Sequence, residues 1–271
     1  GGYDPFTFDI TTALKKSGPQ EIKVTVWDPS DEGPQPRGKQ VKAPRGIWYT
    51  PVTGIWQTVW LEAVNSTYIK SIRLTPDADN ETVTLQATAD EIQPGDRLKM
   101  SVWDGTQKIA EQDSETLEIN IGIPGAKRWS PSNPFLYDLR ITLVRRGKTI
   151  DEVRSYFGMR KISMEPDANG NQRLLLNDEM LFQYGPLDQG WWPDGLYTAP
   201  TDEALKFDIQ KTKDLGFNMI RKHVKVEPAR WYYHCDRLGM LVWQDMPSGD
   251  MGNRWDSRPG IIGAATDKQR T

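Results

Sequence analysis

The chain is poor in the residues that most often announce chemistry. Its 271 residues include one cysteine, Cys235, and two histidines, His223 and His234. A single thiol excludes an internal disulfide framework and any multi-cysteine metal site. Two imidazoles leave little capacity for a histidine metal centre. The sequence carries no Walker A loop, dinucleotide fingerprint, nucleophile elbow or His-Glu-x-x-His, so no metal or cofactor is expected. No apolar run approaches the roughly 18–20 residues of a membrane span. Charge of one sign is also lacking: Lys+Arg 34 against Asp+Glu 37 gives a formal net charge of −3. That is not the basic bias of a nucleic-acid or membrane-surface binder. The chain opens on Gly1-Gly2-Tyr3 without a methionine or signal peptide, as a piece of something larger would. Localisation stays open, since one cysteine fits the cytoplasm as well as a periplasmic or secreted setting.

What is present is globular composition, 37% hydrophobic and 26% charged, in a length that suits two or three domains. Tryptophan is in surplus: Trp 11 exceeds both Tyr 9 and Phe 7. Two readings stand side by side, large core anchors or a surface that stacks flat, CH-rich ligands such as sugars.

The first two-thirds read as β. Ile22 to Trp27 alternates apolar and polar residues, the period-2 signal of a strand with one buried face. Turn residues follow from Asp28 to Pro34, and Ile55 to Leu61 is a second β-rich run. From Tyr68 to Phe157 six further strands are expected, at Tyr68–Leu74, Thr82–Ala87, Leu98–Trp103, Leu117–Ile121, Leu136–Val144 and Thr149–Phe157. Their turns recur at the short intervals of an immunoglobulin-like sandwich. After Arg160 the pattern becomes β-α-β-α-β. Strands are expected at Met180–Tyr184, Asn218–Arg221 and Met240–Trp243. One helix begins at Thr201-Asp202-Glu203 and stops at Gly216; the other begins at Glu227-Pro228 and stops at Gly239. This is the signature of a parallel sheet with helical crossovers. A polar tail follows Pro247.

In parallel α/β folds the chemistry lies at the carboxyl ends of strands and in the loops after them. That rule selects Asp188, Trp191 and Trp192 after the first strand, Arg221 and His223 after the second, and Asp245 after the third. Carboxylates and arginine hydrogen-bond hydroxyls in pairs, while indole faces cover C–H patches, a combination suited to a polyhydroxylated ligand. Each residue also has a plainer reading. Trp191 and Trp192 plug the end of the sheet, or Arg221 pairs with Asp245 structurally. His234 and Cys235 read as packing residues on the second helix. Asp77 to Glu81 lacks the glycine and spacing of a calcium loop and reads as a hairpin turn.

Several segments resemble glycoside hydrolase family 2, the β-galactosidase, β-glucuronidase and β-mannosidase group. Gly1 to Thr11 and Gly54 to Glu62 resemble the end of that family's jelly-roll domain. Trp129-Ser130-Pro131-Ser132-Asn133-Pro134-Phe135-Leu136-Tyr137 resembles the end of its immunoglobulin-like domain, and Phe157-Gly158-Met159-Arg160 the passage into its TIM barrel. Asn218 to Arg221 and Cys235 to Trp243 resemble the barrel's second and third strands with the helix between.

The resemblance implies a multidomain, mainly β chain: residues 1–64 as the C-terminal part of a jelly-roll sugar-binding domain, 65–159 as an immunoglobulin-like sandwich, and 160–271 as the first (βα)2β part of a TIM barrel. It implies a retaining glycosidase acting on terminal β-linked sugars, with a carbohydrate as partner, and with acid/base and nucleophile beyond Thr271, so that the fragment itself is inactive. Asp188, Trp191, Trp192, Arg221, His223 and Asp245 would then line the sugar-binding end. The run Arg221-Lys222-His223 departs from the family's Arg-x-Ser-His, and Gln244-Asp245 from its Asp-Glu, which leaves the sugar open. The alternative reading is a non-catalytic carbohydrate-binding or adhesive sandwich protein. An incomplete barrel exposes a parallel edge, so aggregation, self-association or packing of the tail on the sandwich is expected.

Overall fold

The computed structural model describes residues 2–32 and 35–248. The polar tail after Pro247, with Trp255, falls almost entirely outside the described residues. Seven strands build a two-layer sandwich: β1 (Ile69–Asp77), β2 (Thr82–Ala89), β3 (Asp96–Asp104), β4 (Gln107–Ser114), β5 (Glu118–Gly122), β6 (Tyr137–Arg145) and β7 (Lys148–Phe157). One antiparallel sheet runs β1-β2-β5 and the other β4-β3-β6-β7. Period-2 alternation sends Val83 and Leu85 of one sheet, and Met100, Leu139, Ile141 and Leu143 of the other, into a common core. The sequence-based expectation missed β4. Its Ile109-Ala110 pair breaks the alternation, and as a largely exposed edge strand it has little apolar signal to offer. At the β1–β2 turn, Asp77 Oδ1 accepts the backbone N–H groups of Asp79 and Asn80, each at 3.0 Å, which makes this acidic run the expected hairpin turn.

One ion pair staples the sandwich at its end. Arg145 donates through Nε and Nη2 to the two oxygens of buried Asp96, both at 2.7 Å. These hydrogen bonds, helped by Gln93 N–H, outweigh burial and hold the Asp96 carboxyl down at about 2. A folded-state value below the unfolded one, about 3.9, means stability that is fully present above pH 4 and is lost as pH falls through about 2. Wild-type melting temperature should therefore drop between those limits by more than that of Asp96→Asn, the two curves converging near pH 2. Parallel curves would exclude the assignment.

Residues 2–64 depart from expectation. Neither Ile22–Trp27 nor Ile55–Leu61 forms a strand; among its described residues the segment carries one 3-10 turn, Thr11–Ala13, and an isolated bridge between Gln40 and Tyr49. A strand needs a lateral partner for its N–H and C=O groups and a face to bury. No ladder partner lies among the described residues, and Trp27 and Trp60 are 84% and 70% exposed. Of the two readings of the tryptophan surplus, the core-anchor one therefore does not hold for Trp27 and Trp60.

Beyond the sandwich, β8 (Ile162–Pro166), β9 (Gln172–Leu176) and β10 (Glu179–Met180) make a small antiparallel sheet. A parallel sheet follows, ordered β11 (Leu187–Asp188), β12 (Met219–Lys222), β13 (Leu241–Gln244). Its first strand lies later than expected. Met180 pairs back on β9, and Pro186, without an N–H, cannot extend the ladder towards Met180–Tyr184.

Helix α1 (Asp202–Asp214) starts where its capping pattern places it, with Thr201 Oγ1 accepting Ala204 N–H at 3.1 Å. It ends before Leu215, which is 75% exposed. Helix α2 (Ala229–Leu238) stops at Gly239, whose φ of 77° is left-handed. Leu205 and Ile209 of α1, Trp231 and Cys235 of α2, and Ile220 of β12 share one core on the helix side of the sheet. On the opposite face Met219 and Leu241 pack on Trp129, so the base of the sheet is docked against the sandwich. Further along that face Leu187 and Trp243 stay 49% and 46% exposed.

Candidate functional site

The register of the parallel sheet sorts the candidate residues into two groups. Leu187, Arg221 and Trp243 are neighbours on the open face, whereas Asp188, Lys222 and Gln244 are neighbours on the helix face. On the open side Asp245 accepts from Arg221 Nε at 3.2 Å and Nη2 at 3.0 Å, and from His223 Nδ1 at 2.6 Å. Burial alone would raise the Asp245 carboxyl, but the hydrogen bonds from Arg221 and His223 prevail and hold it below its ordinary value. An ionised carboxylate only accepts, so His223 carries a proton on Nδ1, and this contact turns Nε2 away from Asp245. Neither Nε2 of His223 nor Nη1 of Arg221 has a partner among the described residues. The structural pairing of Arg221 with Asp245 and a ligand-facing role are thus compatible: the pair fixes the guanidinium while leaving donors outward.

Asp188 turns the other way. Its Oδ2 accepts from Lys222 Nζ at 2.5 Å and its Oδ1 from Gly190 N–H at 2.7 Å. Lys222 also reaches Glu227 Oε1 at 2.9 Å, which lies 3.2 Å from Lys225 Nζ. Lys225 completes its bonds on the carbonyl oxygens of Gly190 and Tyr197, both at 2.7 Å. Lys222 and Lys225 are 1% and 0% exposed and Glu227 is 4% exposed. Burial pushes the Lys225 ammonium below its ordinary pKa, against the attraction of Glu227. Sequence reasoning did not single out the two lysines and placed Glu227 only at the start of the second helix. The signal available was Glu227 at five and two residues from the lysines, together with the register that sets Lys222 beside Asp188.

The two tryptophans also part. Trp192 bridges Leu196 and packs against the helix-side core. Trp191 lies against Tyr49, ring centroids 4.3 Å apart, and near Tyr197 at 6.0 Å. Tyr3 and Trp56 close on Tyr197 from the N-terminal segment, Trp56 at 4.9 Å, and the Tyr3 and Tyr197 hydroxyls are hydrogen-bonded. Burial raises the Tyr49 hydroxyl to about 12. Trp56 also covers Lys225, whose Nζ sits 5.2 Å from its ring centroid. His234 pairs with Asp202 of α1 at 3.0 Å, and burial raises the Cys235 thiol, in keeping with structural roles.

Comparison with known proteins adds an independent line. Residues 67–160, the sandwich and the passage out of it, match the family described as Glycosyl hydrolases family 2. A β-galactosidase of Lactococcus lactis subsp. lactis is 28% identical over 90% of this chain and 24% of its own length. A β-galactosidase of Thermoanaerobacter pseudethanolicus is 26% identical over 91% of this chain and 34% of its own. A crystal structure of a β-glycosidase from Bacteroides vulgatus superposes with a TM-score of 0.63 at 27% identity, covering 74% of this chain and 26% of that one. The chain spans about a third or less of the length of these relatives. The match across the sandwich and the relatives that extend through the parallel strands agree: over both parts the chain is similar to members of glycosyl hydrolase family 2.

Proposed function

We propose that this chain forms the substrate-side wall of a retaining glycosidase that removes terminal β-linked sugars, in the manner of a β-galactosidase. In this reading residues 1–64 are the C-terminal part of a jelly-roll domain, 65–159 an immunoglobulin-like sandwich and 160–271 the start of a TIM barrel. The observation that carries it is the Arg221–Asp245–His223 cluster at the carboxyl ends of parallel strands, with Nη1 and Nε2 left for hydroxyls. Trp191, backed by Tyr49, supplies an aromatic wall beside it, and Asp188 supports that loop from behind.

The chemistry needs two carboxyl groups about 5–5.5 Å apart across the scissile bond. At these strand ends Asp188, Glu227 and Asp245 each pair with cations; in this reading the acid/base and nucleophile, as the family resemblance implies, lie beyond Thr271. Joined to the rest of its reading frame, the protein should hydrolyse p-nitrophenyl β-galactoside with retention, the β-anomer appearing first by proton NMR. There His223→Ala should lower kcat/KM by about 10- to 100-fold, as loss of a hydrogen bond of about 1.5–3 kcal/mol implies, while the 271-residue chain alone stays inactive. A full-length protein inert on every aryl β-glycoside yet retained on oligosaccharide resin would replace this reading with an adhesive one.

A further inference from the structure

A second carbohydrate-sized recess lies at the other end of α2 from Glu227, where the helix meets the sandwich. A cavity of about 210 Å³ is lined by Asp138, Arg154, Ser155, Tyr156, Tyr233 and Arg237 along with Leu136. It shares Ser155 and Tyr156 with a cavity of about 510 Å³ that continues towards Arg160 and Asp236, a size suited to a small ligand. The side chains are of three kinds. Tyr156 and Tyr233 meet edge to face at 5.1 Å, so one ring presents its face to the other's rim. Arg237, exposed, has a ring contact with Tyr233 at 6.0 Å and no carboxylate partner among the described residues. Arg154 is 76% exposed, with Glu152 at 3.3 Å. Asp236 is already neutralised by Arg160 at 2.7 Å and held by the Tyr156 hydroxyl at 3.1 Å, whereas Asp138 has no cation partner among the described residues.

We infer that this recess binds an acidic oligosaccharide, its carboxylates on Arg154 and Arg237, its hydroxyls on Asp138 and Ser155, and a sugar face on the tyrosines. The mixture decides the class. A small inorganic anion would gain the arginines but meet Asp138 at close range, whereas a sugar acid uses both signs: guanidinium pairs with carboxylate and carboxylate accepts from hydroxyl. The site stands independently of the hydrolytic reading, since none of its residues lies at the carboxyl ends of the parallel strands β11, β12 and β13.

The test uses this chain as it is, titrated calorimetrically with the trisaccharide of galacturonic acid and with neutral galactotriose. The uronate should bind at least tenfold more tightly, and Arg154→Ala with Arg237→Ala should weaken it at least tenfold. Tyr233→Ala should weaken both sugars. Lys16→Ala with Lys206→Ala removes the same charge from exposed positions elsewhere and should leave affinity within twofold. Far-UV circular dichroism verifies folding of each variant. Absence of uronate binding at millimolar concentration, equal binding of the neutral sugar, or equal weakening by the lysine pair would overturn the assignment.

Discussion

Glu227→Ala is expected to destabilise the parallel sheet and its helices by about 3–5 kcal/mol, the usual consequence of removing one partner from a buried ion cluster. Four charges cancel there: Lys222 and Lys225 against Asp188 and Glu227. Taking away Glu227 leaves an excess positive charge around two ammonium groups that are 1% and 0% exposed. Lys222 keeps Asp188, but Lys225 keeps two neutral carbonyls and the ring faces of Trp56 and Tyr197, with no anion, and burial already opposes its charge. The variant must admit water or deprotonate Lys225, and either loosens the loop from Gly190 to Tyr197 that the ammonium ties together. Glu227→Gln retains an acceptor and should lose less. Asp245→Asn, by contrast, breaks a pair with Arg221 that is 46% exposed on the arginine side, so less than about 1 kcal/mol of stability is expected to go. Urea unfolding followed by tryptophan fluorescence, with Trp231 beside Lys222 at 4.3 Å, measures all three. A Glu227→Ala midpoint no lower than that of Asp245→Asn would refute the cluster's importance.

Where an element makes its own pattern, the sequence was enough. The alternation in β2 and β6, the Thr201 cap and Gly239 are local signals with local causes, and each lies where periodicity and capping chemistry put it. Where an element depends on a neighbour, the pattern misled. Ile22 to Trp27 has the alternation of a strand but lacks a partner among the described residues, and period-2 apolar spacing says nothing about what will lie alongside. The shift of the first parallel strand from Met180–Tyr184 to Leu187–Asp188 has the same origin. Both runs are short, and the choice is made by register against β12, where Gly185 passes so close to Met219 O that a Cβ would sit 1.6 Å away.

The candidate site was legible in part for a related reason. Residue position after a strand located Arg221, His223 and Asp245, which the fold brings into mutual contact. It did not say which face each side chain takes. Asp188 is one residue removed from the open face, and a parallel ladder turns alternate residues to opposite sides, so it joins Lys222 instead of Arg221. The contribution of Tyr3, Tyr49 and Trp56 was invisible because it arises between segments more than 130 residues apart, which composition and local spacing do not encode.

Trp129→Ala is expected to separate the sandwich from the helices without unfolding the sandwich. Trp129 is 0% exposed, packed with Leu176, Met219 and Leu241 in a cluster distinct from the sandwich core. Its Nε1 donates to Asp236 O at 2.8 Å, Arg160 lies over its ring at 4.5 Å, and its carbonyl accepts from Asn177 Nδ2 at 3.0 Å. One side chain therefore joins the loop before β6, the hairpin of β9 and β10, the sheet base and α2. Truncation to alanine should cost about 3–5 kcal/mol, as for other buried tryptophans, and it also strands the Asp236 carbonyl. Trp129→Phe retains most of the area and loses the hydrogen bond, so about 1–2 kcal/mol is expected. Because Met100 and Ile141 belong to the other core, hydrogen exchange should accelerate in α2 and β13 while β3 and β6 keep their protection. Equal loss of protection in both regions would mean that the sandwich and the parallel sheet fold as one cooperative unit, with Trp129 as an ordinary core residue instead of the joint between them.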